Sequence, residues 1–561
     1  MVKRILSSKW YVIAVMVVLS CLVAVVFWRK DLQAKWGLID DHEIMSYLGE
    51  DKTLSLQEIP ETLFKTEVGA AGDSVRFRPV YYSLRLIETS IWGYNYSLWY
   101  ITRIALFATS FAIVWITLKK YFGFILGGLI PLSLALENYW LDIFARLGPS
   151  EPYTVLGLAI FTWGFMRYYN FLKSETKSQT KIKSVVYSLA IALGVITCVG
   201  SKENFIFLPL LNLLLVAYMC KRKKIDWIFI VSTICATIFS LGVYYAIFVA
   251  VSKTGADIYG NDTSFGARAY MTMKFIPQAV QNLHVIVILI ATGIVHLVFK
   301  HFSKIKDNKY QLYWSVWLFV LIVLILLMYL SQYFFYNGVW PTGSRYDFPG
   351  EMCDKLIVVC FLYYLKKIFD RFGLKETVKE IAVHGTHYLR QVLGKIWTNR
   401  IISEVVIIML LLGSILMSDP VSKYHNIQAG ANRNAIVTAS FTNTLSSTIE
   451  FIKANPDFII IYDSYSVWDY EPVTSVGRYL RANEINKPVY LRLNNYSPDT
   501  VREGLEHRLA SELLTISLNG GEFGGQTIIK YQDLIDDSGK CIVLSFNHVA
   551  NSKCQAFILQ Y

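Results

Sequence analysis

The feature that most constrains this chain is a series of apolar windows recurring from the N-terminus to about residue 417. About 20 such residues in a helix cross the roughly 30 Å hydrocarbon core of a bilayer. Trp10 to Trp28 contains no Asp, Glu, Lys or Arg and follows Lys3, Arg4 and Lys9. It ends in bulky residues and then Arg29 and Lys30, with no small-residue cleavage site, so it reads as an uncleaved first span. Further windows lie at Ser97 to Leu118, Phe122 to Trp140, Tyr153 to Phe171, Ser184 to Gly200 and Phe205 to Cys220. Others lie at Trp227 to Val251, Ile276 to Phe299, Tyr310 to Phe335, Leu356 to Phe369 and Ile401 to Met417, which makes eleven. The chain is 54% apolar and only 17% charged, against about 25% charged in a soluble domain, and this excludes a disordered chain.

A net charge of +12 in a soluble protein would suggest nucleic acid, so the placement of the basic residues decides. With the N-terminus cytoplasmic, the inside segments hold Lys119 and Lys120, the run Lys173 to Lys183, Lys221 to Lys224, Lys300 to Lys309, and Lys366 to Arg400. The short outside loops hold little beyond Arg146, Lys202, a few residues between Lys253 and Lys274, and Arg345. That asymmetry is the positive-inside pattern, and no basic patch interleaved with aromatics remains to argue for nucleic acid.

Two long segments then fall outside. Arg29 to Tyr96 carries Ile44, Tyr47 and Leu48 at helical spacing, then Leu54, Leu56, Ile59, Leu63 and Phe64, which predicts helices along the membrane surface. From Asp419 the composition becomes that of a soluble domain. Phe458 to Tyr462 and Pro488 to Leu493 read as strands, and Ser475 to Ile485 and Val501 to Leu514 as helices. Cys541 to Phe546 and Cys554 to Leu559 read as a terminal hairpin around the polar turn Asn547 to Lys553. In an oxidising compartment its facing ends predict a Cys541–Cys554 disulfide. The expected fold class is therefore mainly α: a polytopic membrane protein of about eleven spans (residues 1–417, with the first outside loop at 29–96) and a small extracytoplasmic α/β domain (418–561).

Several charged groups on the expected outer face could carry chemistry. Asp40, Asp41, His42 and Glu43 stand soon after the first span. Like charges near a low-dielectric boundary raise at least one carboxyl pKa, and such a carboxylate can take a proton from an alcohol. The alternative is a helix N-cap with an acidic first turn. The spacing matches no closed metal site, so no metal is assigned, although a divalent ion is compatible with the residue types. Eight cysteines without CxxC spacing point away from zinc. Arg76, Arg78 and Arg85 before the second span either fork onto phosphate or snorkel to head groups. Asp142, Arg146 and Glu151 lie in one short outside loop and Lys202 with Glu203 in another, where ionisable groups near membrane depth are pocket candidates. Arg345, in the stretch Trp340 to Glu351, is placed to hold a lipid-linked phosphate or to serve as an interfacial anchor. His284, His296, His384 and His387 read as packing residues, and no P-loop, GxGxxG after a strand, GxSxG or HExxH is present.

This layout, with its acidic pair after the first span and its outside C-terminal domain, resembles integral-membrane glycosyltransferases of the GT-C class. That class includes protein O-mannosyltransferases, aminoarabinose transferases and bacterial O-antigen glucosyltransferases. The likeness is nearest to the bacterial or phage type that decorates surface polysaccharides, which implies a place in the bacterial inner membrane. The resemblance implies an inverting transferase that takes its sugar from a polyprenyl-phosphate donor and passes it to a cell-surface glycan or lipid-linked acceptor. It implies Asp40 or Asp41 as base and Arg345 as leading phosphate ligand, with Arg76 and Arg78 as further basic candidates. Glu43, Asp142, Arg146, Glu151, Lys202 and Glu203 would line the pocket. A transporter or flippase of lipid-linked saccharides would share many spans and interfacial arginines, but should show paired halves or helices broken at the midplane. A polysaccharide polymerase or ligase would share the transferase chemistry.

Overall fold

The computed structural model describes residues 9–49, 51–173, 181–223, 225–254, 264–302, 308–336, 345–372, 419–464, 470–487, 489–493, 521–523, 526–528, 540–545 and 554–559. Trp340, His384 and His387, the window Ile401 to Met417 and the helix expected at Val501 to Leu514 lie outside those residues.

The first helix, α1 (Lys9–Trp28), leads through a 3₁₀ turn, Arg29–Gln33, into a segment with three short helices: α2 (His42–Tyr47), α3 (Ile59–Phe64) and α4 (Pro79–Trp92). The helical part continues with α5 (Tyr96–Ala135), α6 (Trp140–Phe144), α7 (Glu151–Lys173), α8 (Lys181–Ser201), α9 (Leu210–Arg222) and α10 (Trp227–Thr254). It ends with α11 (Phe265–Lys274), α12 (Ile276–Asn282), α13 (Val285–Phe302), α14 (Asn308–Tyr336) and α15 (Gly350–Phe372). Then come α16 (Pro420–Ala454), α17 (Tyr470–Arg481) and six strands: β1 (Ile459–Ser464), β2 (Val489–Leu493), β3 (Gly521–Phe523), β4 (Gln526–Ile528), β5 (Cys541–Ser545) and β6 (Gln555–Ile558).

Among the described residues six helices are long and apolar enough to cross a membrane, or seven if the arm Gly266–Asn282, made of α11 and α12, and the arm Val285–Leu297 in α13, bent by 51°, count as one span. The protein is an integral membrane protein. Two expected windows merge in α5, but Gly123, at φ 84°, breaks its helical path, a conformation that costs little only without a Cβ. Across that break Trp115 Nε1 donates to the Phe124 carbonyl at 2.9 Å. Helices also form at the windows Tyr153 to Phe171 and Leu356 to Phe369 as α7 and α15. On α1, Met16, Ala24, Phe27 and Trp28 are buried while Val17, Val18, Leu22 and Val26 are exposed, so this helix turns apolar side chains outward. Leu56 and Phe64, exposed around α3, do the same in the first loop.

In the C-terminal part four strands form a sheet of order β2-β1-β5-β6 with every neighbouring pair parallel. The central β5 is buried throughout, as strands of parallel sheets are. The hairpin expected at the C-terminus is therefore corrected: β5 and β6 run side by side in one direction. A hairpin would have put Cys541 opposite the far end of the second strand. The parallel register, with Ile542 beside Gln555, sets Cys541 next to Cys554, and the two are joined in a disulfide with a Cα–Cα distance of 4.8 Å. The C-terminal part shares a core with the first loop: Trp36, Leu38, Ile44 and Met45 pack with Phe441, Leu445, Val476 and Tyr479.

Candidate active site

The chain after α1 reaches Asp40 in a left-handed conformation, φ 70°, which Asp tolerates better than most residues. The loop between α6 and α7 packs directly on it. A Cβ at Gly148 would fall 2.0 Å from Asp40 Cβ, so only glycine lets the two loops approach this closely. The contact brings Arg146 Nη2 to 2.7 Å from Asp40 Oδ2. Arg345, at the entrance to α15, places Nη1 2.9 Å from the same oxygen. Two guanidiniums on one carboxylate oxygen leave a single net positive charge. Side-chain exposure of 17% for Asp40, 20% for Arg345 and 33% for Arg146 leaves the cluster reachable from solvent. Burial works to raise the Asp40 pKa, but the charges of Arg345 and Arg146 outweigh it and hold the carboxyl well below the usual carboxylate range.

Asp41 faces another way. It stands at the N-cap of α2 but makes no side-chain cap bond, so capping does not explain it. Its Oδ2 accepts from the Gly37 N–H at 2.7 Å and closes the loop on itself. Burial pushes its carboxyl up to about 6, against the Gly37 hydrogen bond and helped by the charge of Asp40. Glu43 sits 3.4 Å from the Tyr81 hydroxyl, and burial raises its carboxyl to about 7.

Around this centre the other residues singled out from sequence form connected pairs. Asp142 Oδ2 accepts from the Arg345 backbone N–H at 3.4 Å. Lys202 donates to Glu151 at 2.6 Å and to the Arg345 carbonyl at 3.4 Å. Asp40, Asp142, Arg146, Glu151, Lys202 and Arg345 are thus one network. Arg78 forks onto both oxygens of Glu203 at 2.9 Å, beside that network but bound to a carboxylate. Arg76 lies near enough to Glu67 and Glu203 to act on their charge. Among the described residues no group of three or more His, Cys, Asp or Glu could hold a metal ion.

Sequence reasoning missed Arg103 as a support of this network, and offered Arg85 only as a phosphate or head-group ligand, whereas it is a buried support. Arg85 and Arg103 are 0% and 1% exposed, and both donate to the Leu147 carbonyl next to Arg146. Arg103 also meets Glu88 and the Tyr153 hydroxyl at 3.4 and 3.2 Å. An arginine inside the apolar window Ser97 to Leu118 was the signal available for Arg103, since a buried cation there needs partners. Nothing local in the sequence marks the C-terminal residues that hold the acidic loop.

No protein-family model matches the chain, and no curated protein matches it. Solved structures that align with it include the crystal structure of ArnT from Cupriavidus metallidurans bound to undecaprenyl phosphate, at 12% identity, 89% coverage of each chain and a TM-score of 0.42. The same protein in the apo state aligns at 12% identity, 89% coverage of each chain and a TM-score of 0.39. Likeness this loose carries no part of the functional reading, which rests on the site's own geometry.

Proposed function

We propose that the chain is an inverting, polyprenyl-phosphate-dependent glycosyltransferase of the GT-C kind in the bacterial inner membrane. In this reading it has eleven spans, a cytoplasmic N-terminus and an extracytoplasmic C-terminal domain beyond residue 418. The acceptor is a cell-surface glycan or lipid-linked saccharide. The observation that carries this reading is the convergence of Arg146 and Arg345 on Asp40 Oδ2. An ionised carboxylate and a guanidinium that can exchange it for phosphate are the minimum equipment for deprotonating an alcohol while a phosphate leaves.

The acceptor hydroxyl attacks the anomeric carbon as the bond from that carbon to the lipid phosphate oxygen breaks. The hydroxyl proton passes to Asp40, and the phosphate departs with the bond electrons against Arg345. Without phosphate, two guanidiniums depress the basicity of Asp40. An arriving phosphate competes for Arg345, so donor binding strengthens the base at the moment it is needed. Asp40 is favoured over Asp41 because Asp41 is committed to the Gly37 N–H and is 3% exposed.

A transporter or flippase of lipid-linked saccharides is the second reading, and the 51° break between α12 and α13 is the feature that favours it. The deciding experiment incubates purified protein with a panel of polyprenyl-phosphate sugars and glycan acceptors and follows release of free lipid phosphate. Release with one donor supports the transferase. Movement of lipid-linked saccharide across proteoliposomes with no release from any donor overturns it.

A further inference from the structure

The segment Lys35 to Leu38 that delivers Asp40 and Asp41 has no regular secondary structure, yet each of its four carbonyls accepts a side-chain hydrogen bond. Tyr100 from α5 takes the Lys35 carbonyl at 3.2 Å. The other three donors belong to the C-terminal part: Thr442 to Trp36 at 3.1 Å, Tyr479 to Gly37 at 2.5 Å, and Ser475 to Leu38. The Lys35 N–H in turn donates to Thr438 Oγ1 at 3.0 Å. The same helix α16 reaches the other side of the ion pair, where Asn434 Nδ2 donates to the Ala145 carbonyl, next to Arg146, at 2.6 Å. A buried carbonyl without a donor is costly, so these bonds fix one loop conformation out of many.

We infer that the C-terminal part is the positioning element of the acidic loop, with Tyr479 and Asn434 as positioning residues that set Asp40 against Arg146 from two sides. The catalytic half of this inference rests on the reading of Asp40 as base; the structural half does not. Gly37 stands at the centre: its carbonyl is held by Tyr479 while its N–H holds Asp41. Tyr479 and Ser475 are each 0% exposed, so water cannot readily replace them as donors.

Tyr479→Phe removes one hydroxyl and keeps the ring. Asn434→Ala removes the second grip, and Thr442→Val is a milder break of the same row. In the full-length detergent-purified protein, backbone amide hydrogen exchange of the peptides covering residues 35–48 should speed up by about three- to tenfold in each variant, as loss of one net hydrogen bond implies. Peptides from α7 and α8 should exchange unchanged. Where the wild type turns over, kcat should fall by a similar factor with the donor KM unchanged, because the phosphate ligands remain. If Tyr479→Phe does not fold, Thr442→Val and Asn434→Ala carry the test. Unchanged exchange at 35–48 in folded variants overturns the clamp, and faster exchange with unchanged kcat overturns its catalytic role. A wild type without turnover overturns the transferase reading and leaves exchange to judge the clamp alone.

Discussion

Replacing Arg345 separates a donor-phosphate ligand from an interfacial anchor. In the structure its guanidinium is four-fifths shielded and 2.9 Å from Asp40 Oδ2, so on donor binding it exchanges a carboxylate for a phosphate rather than water for a phosphate. A charge-assisted hydrogen bond is worth about 1.5 to 3 kcal/mol, or about ten- to a hundredfold in rate at 1.4 kcal/mol per decade. Since Asp40 is released in the exchange, the loss in kcat/KM for Arg345→Ala is expected toward the tenfold end, with Arg345→Lys between it and wild type because the charge stays while the fork is lost. Arg345→Ala also removes the charge that depresses the Asp40 pKa most. A depressed carboxyl stabilises the fold above its unfolded pKa, about 3.9, and that contribution disappears as pH falls through the folded pKa. The variant should therefore be less stable than wild type at neutral pH, and the gap should close in acid. The assay is transfer rate against donor concentration, normalised to the folded fraction from detergent gel filtration. Normal kcat/KM per folded molecule in Arg345→Ala would refute the phosphate role and move the search to Arg146, Lys202, Arg76 or Arg78.

Asp40→Asn keeps size but cannot take a proton, so turnover should fall by about 10²-fold or more with folding intact, whereas full activity in both Asp40→Asn and Asp41→Asn defeats a carboxylate base in this pair. Asp41 and Glu43, raised to about 6 and about 7, favour the folded state while protonated. Their contribution is full below the unfolded pKa and is lost as pH rises toward 7, so unfolding temperature followed from pH 4 to 8 should decline less in Asp41→Asn than in wild type. Lys202→Met strands the buried Glu151 and should destabilise by about 3 to 5 kcal/mol, while adding Glu151→Gln should recover much of it; equal unfolding temperatures for wild type and the single variant would show the pair is slack. A C-terminal reporter should be extracytoplasmic, and alkylation without reductant followed by mass spectrometry should leave Cys541 and Cys554 unlabelled.

Many of the apolar windows, the presence of short helices in the first loop and strands after Asp419 were legible in the sequence, because hydropathy and periodicity act within one helix or strand, whereas the 35-residue α16 was not expected there. The acidic stretch Asp40 to Glu43 and the isolated cations Arg146, Lys202 and Arg345 could be singled out for the same local reason: a charge near membrane depth is conspicuous wherever it lies. Which of them meet could not be read there. Asp40 joins partners 106 and 305 residues away, and the row of donors on Lys35 to Leu38 comes mostly from more than 400 residues downstream. Only tertiary packing turned Asp41 toward Gly37 and Asp40 toward two arginines, making one carboxyl an ionised centre and the other a buried prop. The parallel pairing of β5 and β6 was hidden likewise, since strand direction depends on where the chain travels between strands and leaves no mark in the alternation of residues.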